Sequence, residues 1–197
     1  MVTRGFEPRR SQGSDRIPPG QYEVDVFPVL TAGPTQLIDT DDWTLTISDG
    51  SSATDYDWES FHALGTETIE TDIHCVTHWT KLGTVWEGVS ITTLVEASGV
   101  VDLPYAVVSS HGGYTTNLPT EDILRATSMV ATGYDGQPLD AEHGGPARLL
   151  VPHLYLWKSA KWVREIRFVE DDRPGFWESA GYHNYGDPWQ EQRYYGD

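Results

Sequence analysis

The chain has one cysteine, Cys75, and three lysines, Lys81, Lys158 and Lys161, in 197 residues. A single thiol allows no disulfide within the chain, no Cys-rich zinc site, no thiolate-held iron–sulfur cluster and no CxxCH haem attachment. No stretch approaches the ~20 consecutive apolar residues of a membrane-spanning helix. Residues 1–20 lack the apolar segment of a secretory signal. Neither GxGxxG nor GxxxxGK followed by Ser or Thr occurs, so no nucleotide fingerprint is present. Thirty acids against thirteen bases give a net charge of −17, which repels nucleic acid and anionic membrane surfaces. These absences lead us to expect a cytoplasmic protein with no nucleic-acid partner and no membrane insertion. A lone thiol fits a reducing compartment. An acid excess with so little lysine also points to a halophilic source.

The length fits one domain. Eight Trp, ten Tyr and five Phe supply bulk for its core. Residues 1–20 read as an extended arm, 21–170 as the domain, and 171–197 as an aromatic-rich tail that wraps it, since its rings would be costly to leave in water. Trp43, Leu45 and Ile47 alternate with Thr44 and Thr46 as in a half-buried strand. A short helix is expected from Trp58 to Leu64. Ile69, Thr71, Ile73 and Cys75 fall on one face of a strand, with Glu70, Asp72 and His74 on the other. Gly88 to Ser98 reads as a helix capped by Ser90 and ended by Gly99. Thr120 to Ser128 reads as another, capped by Thr120. Tyr105–Ser109, Arg148–Val151 and Trp162–Val169 are strand candidates. On that last strand Lys161 and Arg167 share one face, and Arg164 shares the other with Trp162, Ile166 and Phe168. Strands interspersed with short helices predict an α+β fold with a mixed or mostly antiparallel sheet.

Two regions carry chemistry. The first is Asp72-Ile73-His74-Cys75-Val76-Thr77-His78-Trp79, where a strand end presents one thiol. Cys75 reads either as a core residue or as a thiolate ligand to a soft or higher-valent metal. Zinc held by His74, Cys75 and His78 is a third reading, although His74 and Cys75 point to opposite faces of a regular strand. The second region runs from Arg148 to Arg167. Arg148, Lys158, Lys161, Arg164 and Arg167 gather there against Glu165 alone, as on a solvated strand edge or where an anionic ligand settles. His143-Gly144-Gly145-Pro146 lies just before it, and two glycines allow a backbone to approach a ligand closely.

Several segments share an order and spacing. They are His74-Cys75-Val76-Thr77-His78-Trp79, Val85-Trp86-Glu87-Gly88-Val89, Asp135-Gly136-Gln137-Pro138-Leu139, His143-Gly144-Gly145-Pro146-Ala147-Arg148, Val151-Pro152 and Ser159-Ala160-Lys161-Trp162. Together they resemble the sulfite oxidase-like family of molybdopterin-dependent oxidoreductases, over roughly residues 20–170. The likeness is to the short prokaryotic members with one catalytic domain.

The resemblance implies a molybdenum cofactor, molybdopterin, with Cys75 as the metal's thiolate ligand and a catalytic residue. It implies that His143 and Arg148 contact the pterin and its phosphate, and that Ser159, Ala160 and Lys161 clamp the same cofactor. Thr31, within an N-terminal strand Phe27–Thr31, is implied to touch the pterin. His78 and Trp79 are implied to line it. Tyr114, in Gly112-Gly113-Tyr114-Thr115-Thr116, resembles the family's active-site tyrosine; it also reads as a surface turn aromatic. Sulfite-oxidising members carry arginines around the metal, and His78-Trp79 stands here instead. The substrate is therefore left among small oxyanions, S-oxides and N-oxides, with two-electron oxygen-atom transfer in either direction. Electrons would pass through a separate partner. A zinc hydrolase using His74, Cys75 and His78, or a binding module that has lost its cofactor, are the alternatives.

Overall fold

The computed structural model describes residues 15–197. Most of the expected arm lies outside the described residues, and 15–20 form turns. The first elements are β1 (Tyr22–Glu23), β2 (Thr44–Ser48), β3 (Ala53–Asp57), α1 (Trp58–Ala63), β4 (Glu67–His74) and β5 (Trp79–Ser90). There follow α2 (Ile91–Ser98), β6 (Tyr105–Ser110), β7 (Thr115–Pro119), α3 (Thr120–Ile123) and β8 (Met129–Tyr134). The last are β9 (Gln137–Pro138), β10 (Arg148–Leu150), β11 (Val163–Val169) and α4 (Phe176–Ser179). One sheet has the order β3-β2-β11-β6-β7. The other runs β1-β5-β8-β10, with β4 on the opposite edge of β5 and β9 against β8. Among the strand pairs of the described residues, β1/β5 and β2/β11 are parallel and the rest antiparallel. The mixed, mostly antiparallel α+β architecture expected from the sequence is the one found.

Alternation within the strands sorts side chains between two apolar clusters. Leu45 and Ile47 of β2 and Ile166 and Phe168 of β11 enter a main core with Val130 and Leu149 from the second sheet. Met129 and Ala131 of β8 and Leu150 of β10 point the other way, into a smaller cluster with Ile73, Cys75, Trp79 and Trp86. The same period of two places Arg148 on this second side. Its guanidinium carbon lies 5.9 Å from the Phe27 ring centre and 5.7 Å from that of Trp86. Strand β10 is buried on both faces, so parity alone brings a cation into the interior.

Several elements differ from the expectations above, each for a local reason. The helix expected from Gly88 begins at Ile91. Gly88–Ser90 continue β5, where a Cβ on Gly88 would fall 2.1 Å from the Val130 carbonyl oxygen. Ser90 is its cap, accepting the Thr93 N–H at 3.1 Å, and Gly99 ends it in the left-handed region. The Thr120 helix lasts one turn, and the Thr120 hydroxyl donates to the Leu103 carbonyl instead of capping. On β11, Arg164 is exposed rather than sharing the buried face of Ile166 and Phe168. A bulge between Val163 and Glu165, against Ser110 and Ser109 of β6, turns it outward. Lys161 and Trp162 precede that strand, Trp162 with φ 53°. The expected strand Phe27–Thr31 is irregular backbone. His74 is buried like Cys75, because Tyr155 bridges to it and Trp189 packs edge-on against it.

Candidate active site

Cys75 stands at the tip of the β4–β5 hairpin. Its N–H donates to the Trp79 carbonyl at 2.9 Å, and the His78 N–H donates back to its own carbonyl at 3.0 Å. This three-residue loop closes with His78 at φ 76°, the left-handed position such hairpins require. The Gln21 amide and the Arg193 guanidinium brace it by donating to the carbonyls of Cys75 and Val76. The thiol is thereby fixed at the wall of a cavity of about 370 Å³. Thr77 Oγ1 donates to Cys75 Sγ at 3.2 Å. Burial pushes the thiol up, and Thr77 and the Arg193 charge oppose that shift.

A buried guanidinium faces the same cavity. Arg148 donates from Nη1 to the His143 carbonyl and from Nη2 to the Ser159 carbonyl, both at 2.8 Å. No carboxylate among the described residues pairs with it, and burial brings it down to about 10. Lys161 Nζ donates to the carbonyls of Leu30 and Glu142 at 2.7 and 2.5 Å, likewise without an acid partner among the described residues. Burial, then the neighbouring Arg148 charge, bring it down to about 8. Trp79 Nε1 and His111 Nε2 also belong to lining residues and are buried donors or acceptors with no partner among the described residues. Two uncompensated cations and unsatisfied polar atoms around one cavity are expensive. An anionic, polar ligand would remove the penalty.

Eight of the ten residues singled out from the sequence line this cavity: Thr31, Cys75, Trp79, Tyr114, Arg148, Ser159, Ala160 and Lys161. Two do not. His78 is exposed and its Nδ1–H donates to the Gly20 carbonyl at 2.9 Å. His143 stacks on Phe27 at 3.9 Å behind the wall. Burial and then the Arg148 and Lys161 charges bring its imidazole down to about 4. Tyr114 is inside, but its hydroxyl donates to the Trp157 carbonyl at 2.5 Å. Gly144 and Gly145 approach the chain itself: a Cβ on Gly145 would lie 2.0 Å from the Leu139 oxygen, and one on Gly144 would press on Lys161.

The basic run also divides. Lys158 is fully buried on Glu178 at 2.5 Å and on Asn117 and Asn184. Arg164 faces solvent. The zinc reading loses its ligands. His74 Nδ1 bonds Thr80 Oγ1 at 2.9 Å, its imidazole brought down by burial to about 4, and among the described residues no three His, Cys, Asp or Glu side chains converge.

Sequence reasoning missed His111-Gly112-Gly113, Trp157 and the tail residues Phe176, Trp177 and Tyr182, all of them lining residues. One signal was available. His-Gly-Gly occurs twice, and only the copy at 111–113 opens on the cavity, with nothing within 4 Å of a Cβ on Gly113. The tail rings carried no period to mark them.

A mostly antiparallel α+β domain has one thiol, an aromatic wall and two cations with no acid partner among the described residues around one cavity, which defines a protein built to hold an anionic cofactor. The model of the oxidoreductase molybdopterin binding domain matches residues 32–177, and the chain belongs to that family. It is a molybdopterin-dependent oxidoreductase. The chain is 42% identical to the oxidoreductase YuiH of Bacillus subtilis, over 96% of this chain and 97% of that one. It is 28% identical to the putative protein-methionine-sulfoxide reductase subunit YedZ1 of Azospira oryzae, over 94% of this chain and 64% of that one. It is 34% identical to the protein-methionine-sulfoxide reductase catalytic subunit MsrP of Xanthomonas campestris, over 50% of this chain and 30% of that one. The chain thus spans nearly all of one relative, but under two thirds of the others. The sulfane dehydrogenase SoxCD of Paracoccus pantotrophus shares the fold, with a TM-score of 0.62 at 20% identity over 70% of this chain and 40% of that one.

Proposed function

We propose that this chain reduces a small, uncharged S-oxide to the thioether. The observation that carries the reading is the charge of the cavity wall. Among the described residues Arg148 and Lys161 are its only formal charges, and the rest of the lining is apolar, aromatic or neutral polar. With both cations holding the pterin's phosphate, no cation remains for an oxyanion substrate, whereas methyl and methylene groups fit beside aromatic rings. The name of the relative MsrP agrees with this choice.

The residues present fit molybdopterin, because two cations without an acid partner and the unpartnered buried Trp79 and His111 nitrogens, among the described residues, ask for an anionic, hydrogen-bonding group. Cys75 would hold the metal through Sγ, and Thr77 would hold that sulfur. Arg148 and Lys161 would grip the phosphate, Ser159 fixing Arg148 through its carbonyl. When bound, the cofactor supplies two-electron oxygen-atom transfer. In the overall reaction one sulfoxide takes up two electrons and two protons and leaves as thioether and water, the electrons coming from a separate redox protein.

The test compares sulfoxide reduction, driven by a reduced viologen, with sulfite oxidation by an artificial acceptor, both on purified holoenzyme. A higher kcat/KM for dimethyl sulfoxide is expected. Faster sulfite oxidation would overturn the reading.

A further inference from the structure

Arg148 faces the cavity and is only 2% exposed. An anion that pairs with it has to cross the wall, so part of the wall has to open. Most of the wall is tied by backbone hydrogen bonds. The N–H groups of His111, Leu149, Cys75 and Tyr182 donate to the carbonyls of Trp162, Ala160, Trp79 and Trp177. One stretch is not tied in this way. The Val24 N–H donates to the Thr80 carbonyl at 2.9 Å, and from there to Asp39 no backbone-to-backbone hydrogen bond is made among the described residues. This strap nevertheless lines one side of the cavity, from Phe27 to Gln36. We propose that residues 28–37 are the gate through which molybdopterin enters, and that Lys161 is its latch.

The two ends of the strap are anchored and its middle is not. The Phe27 ring stacks on His143 at 3.9 Å, with the rings of Tyr134, Trp86 and Trp79 at 5.3, 5.9 and 6.1 Å. Ile38, at the other end, packs against the main core. Between them, the Thr31 hydroxyl donates to the Gly33 carbonyl and the Gln36 amide to the Pro34 carbonyl, both inside the strap. Among the described residues, two ammonium groups supply its hydrogen bonds to the rest of the chain. Lys81 donates to the Asp25 carbonyl at 3.0 Å, and Lys161 to the Leu30 carbonyl at 2.7 Å. Val29 and Leu30 are 43% and 48% exposed, and a Cβ on Gly33 would meet nothing within 4 Å. A long irregular segment with fixed ends and few ties opens locally at low cost.

Lys161 decides what the gate admits. An ammonium has three donors. Two are spent on the Leu30 and Glu142 carbonyls, and the third is left for the phosphate. The strap therefore closes over the anionic end of the cofactor. An anion that engages Lys161 also fixes the group that holds Leu30, so binding and closure support each other. The tail rings form a different wall, braced by the buried Glu178–Lys158 pair. The gate rests on Arg148 and Lys161 holding the cofactor's phosphate and is independent of the substrate.

The test locks the strap with a short bis-maleimide between Val29→Cys and Glu142→Cys. Both positions are exposed, neither lines the cavity, and Leu30 and Glu142 share one ammonium. Pterin-free protein, in a Cys75→Ala background so that no other thiol reacts, is offered molybdenum cofactor released from a donor enzyme. Released-pterin fluorescence per chain reports loading. The locked protein should load at least about tenfold more slowly than the same variant unlinked. Protein with Cys75 intact that is loaded before locking should keep its pterin and its kcat/KM for dimethyl sulfoxide. In the wild-type protein, amide exchange over 29–33 should be slower with pterin than without. Equal loading of locked and unlinked protein would overturn the gate, and so would equal exchange with and without pterin. Locked, loaded protein that keeps its pterin but loses kcat/KM would make the strap a substrate gate and overturn the proposal. Loaded, unlinked enzyme inactive on dimethyl sulfoxide would overturn the S-oxide reading alone, because loading and exchange are read from the pterin and the backbone.

Discussion

A fully buried arginine with only carbonyl oxygens around it is an unusual residue to keep. Arg148 has given up water for the His143 and Ser159 carbonyls and two aromatic faces. Such a group is stabilised when an anion binds the folded state. Lys161 shares that role from the edge, while Cys75 offers a different bond, to the metal. The two sites therefore separate by mutation. Cys75→Ala should abolish turnover with pterin content largely kept. Lys161→Ala should weaken cofactor retention by about 1.5–3 kcal/mol, the scale of a charge-assisted hydrogen bond. Released-pterin fluorescence and steady-state assays on the two variants measure this directly, and full activity in Cys75→Ala would remove the sulfur from the mechanism. Cys75, Arg148 and Lys161 were legible because each sits in a short motif of its own. Tyr182, which lines the same cavity from the tail, was not, because its segment is remote in sequence from those motifs. Tyr114 lines the cavity as its motif suggested, and its hydroxyl donates to the Trp157 carbonyl.

At the scale of elements, two structures carry the site. One is the β4–β5 hairpin, whose left-handed His78 fixes where the thiol points. The other is the tail. Glu178, on α4, reaches in from it to Lys158, both side chains 1% exposed, while Asp172 and Asn184 hold Asn117. Removing one member of a buried pair leaves an uncompensated charge and typically costs about 3–5 kcal/mol. Glu178→Gln should therefore lower the melting temperature by about 10 °C. It should also raise amide exchange first over 171–197, where Phe176, Trp177 and Tyr182 form the aromatic wall. A variant that melts like wild type would mean that the tail is held by its rings alone. The sequence announced the short α2 and its cap, because Ser90 and Gly99 are local signals. It hid β5, whose Gly88 reads as a helix start until β8 is laid against it. It also hid the β11 bulge, which turns Arg164 outward against the period.

The whole molecule is set by its charge. At −17 the folded chain repels itself, and added salt screens that repulsion. Its melting temperature should rise by several degrees between ~0.1 and ~2 M KCl. A flat or falling curve would contradict this. Acid acts through the buried histidines. His74 and His143 are both held at about 4, first by burial. Between about pH 6.5 and 4 the unfolded chain takes up protons at these positions and the folded chain does not. Stability is therefore full above that window and is lost as pH falls through it. Melting curves from pH 7.5 to 4.5 should show the decline, and a His74→Asn variant should show a shallower one.

The amino-acid sequence alone determined the α+β class, the thiol, the two cations and the family, because strand period, residue type and motif spacing are local quantities that survive without contacts. Only the tertiary structure decided which of those groups meet. It set His78 and His143 outside the cavity, drew Lys158 away to Glu178, and brought Phe176, Trp177 and Tyr182 from the far end of the chain to the cavity that Cys75 lines. Burial, register and hydrogen-bond partners are properties of pairs of segments, and no single segment contains them.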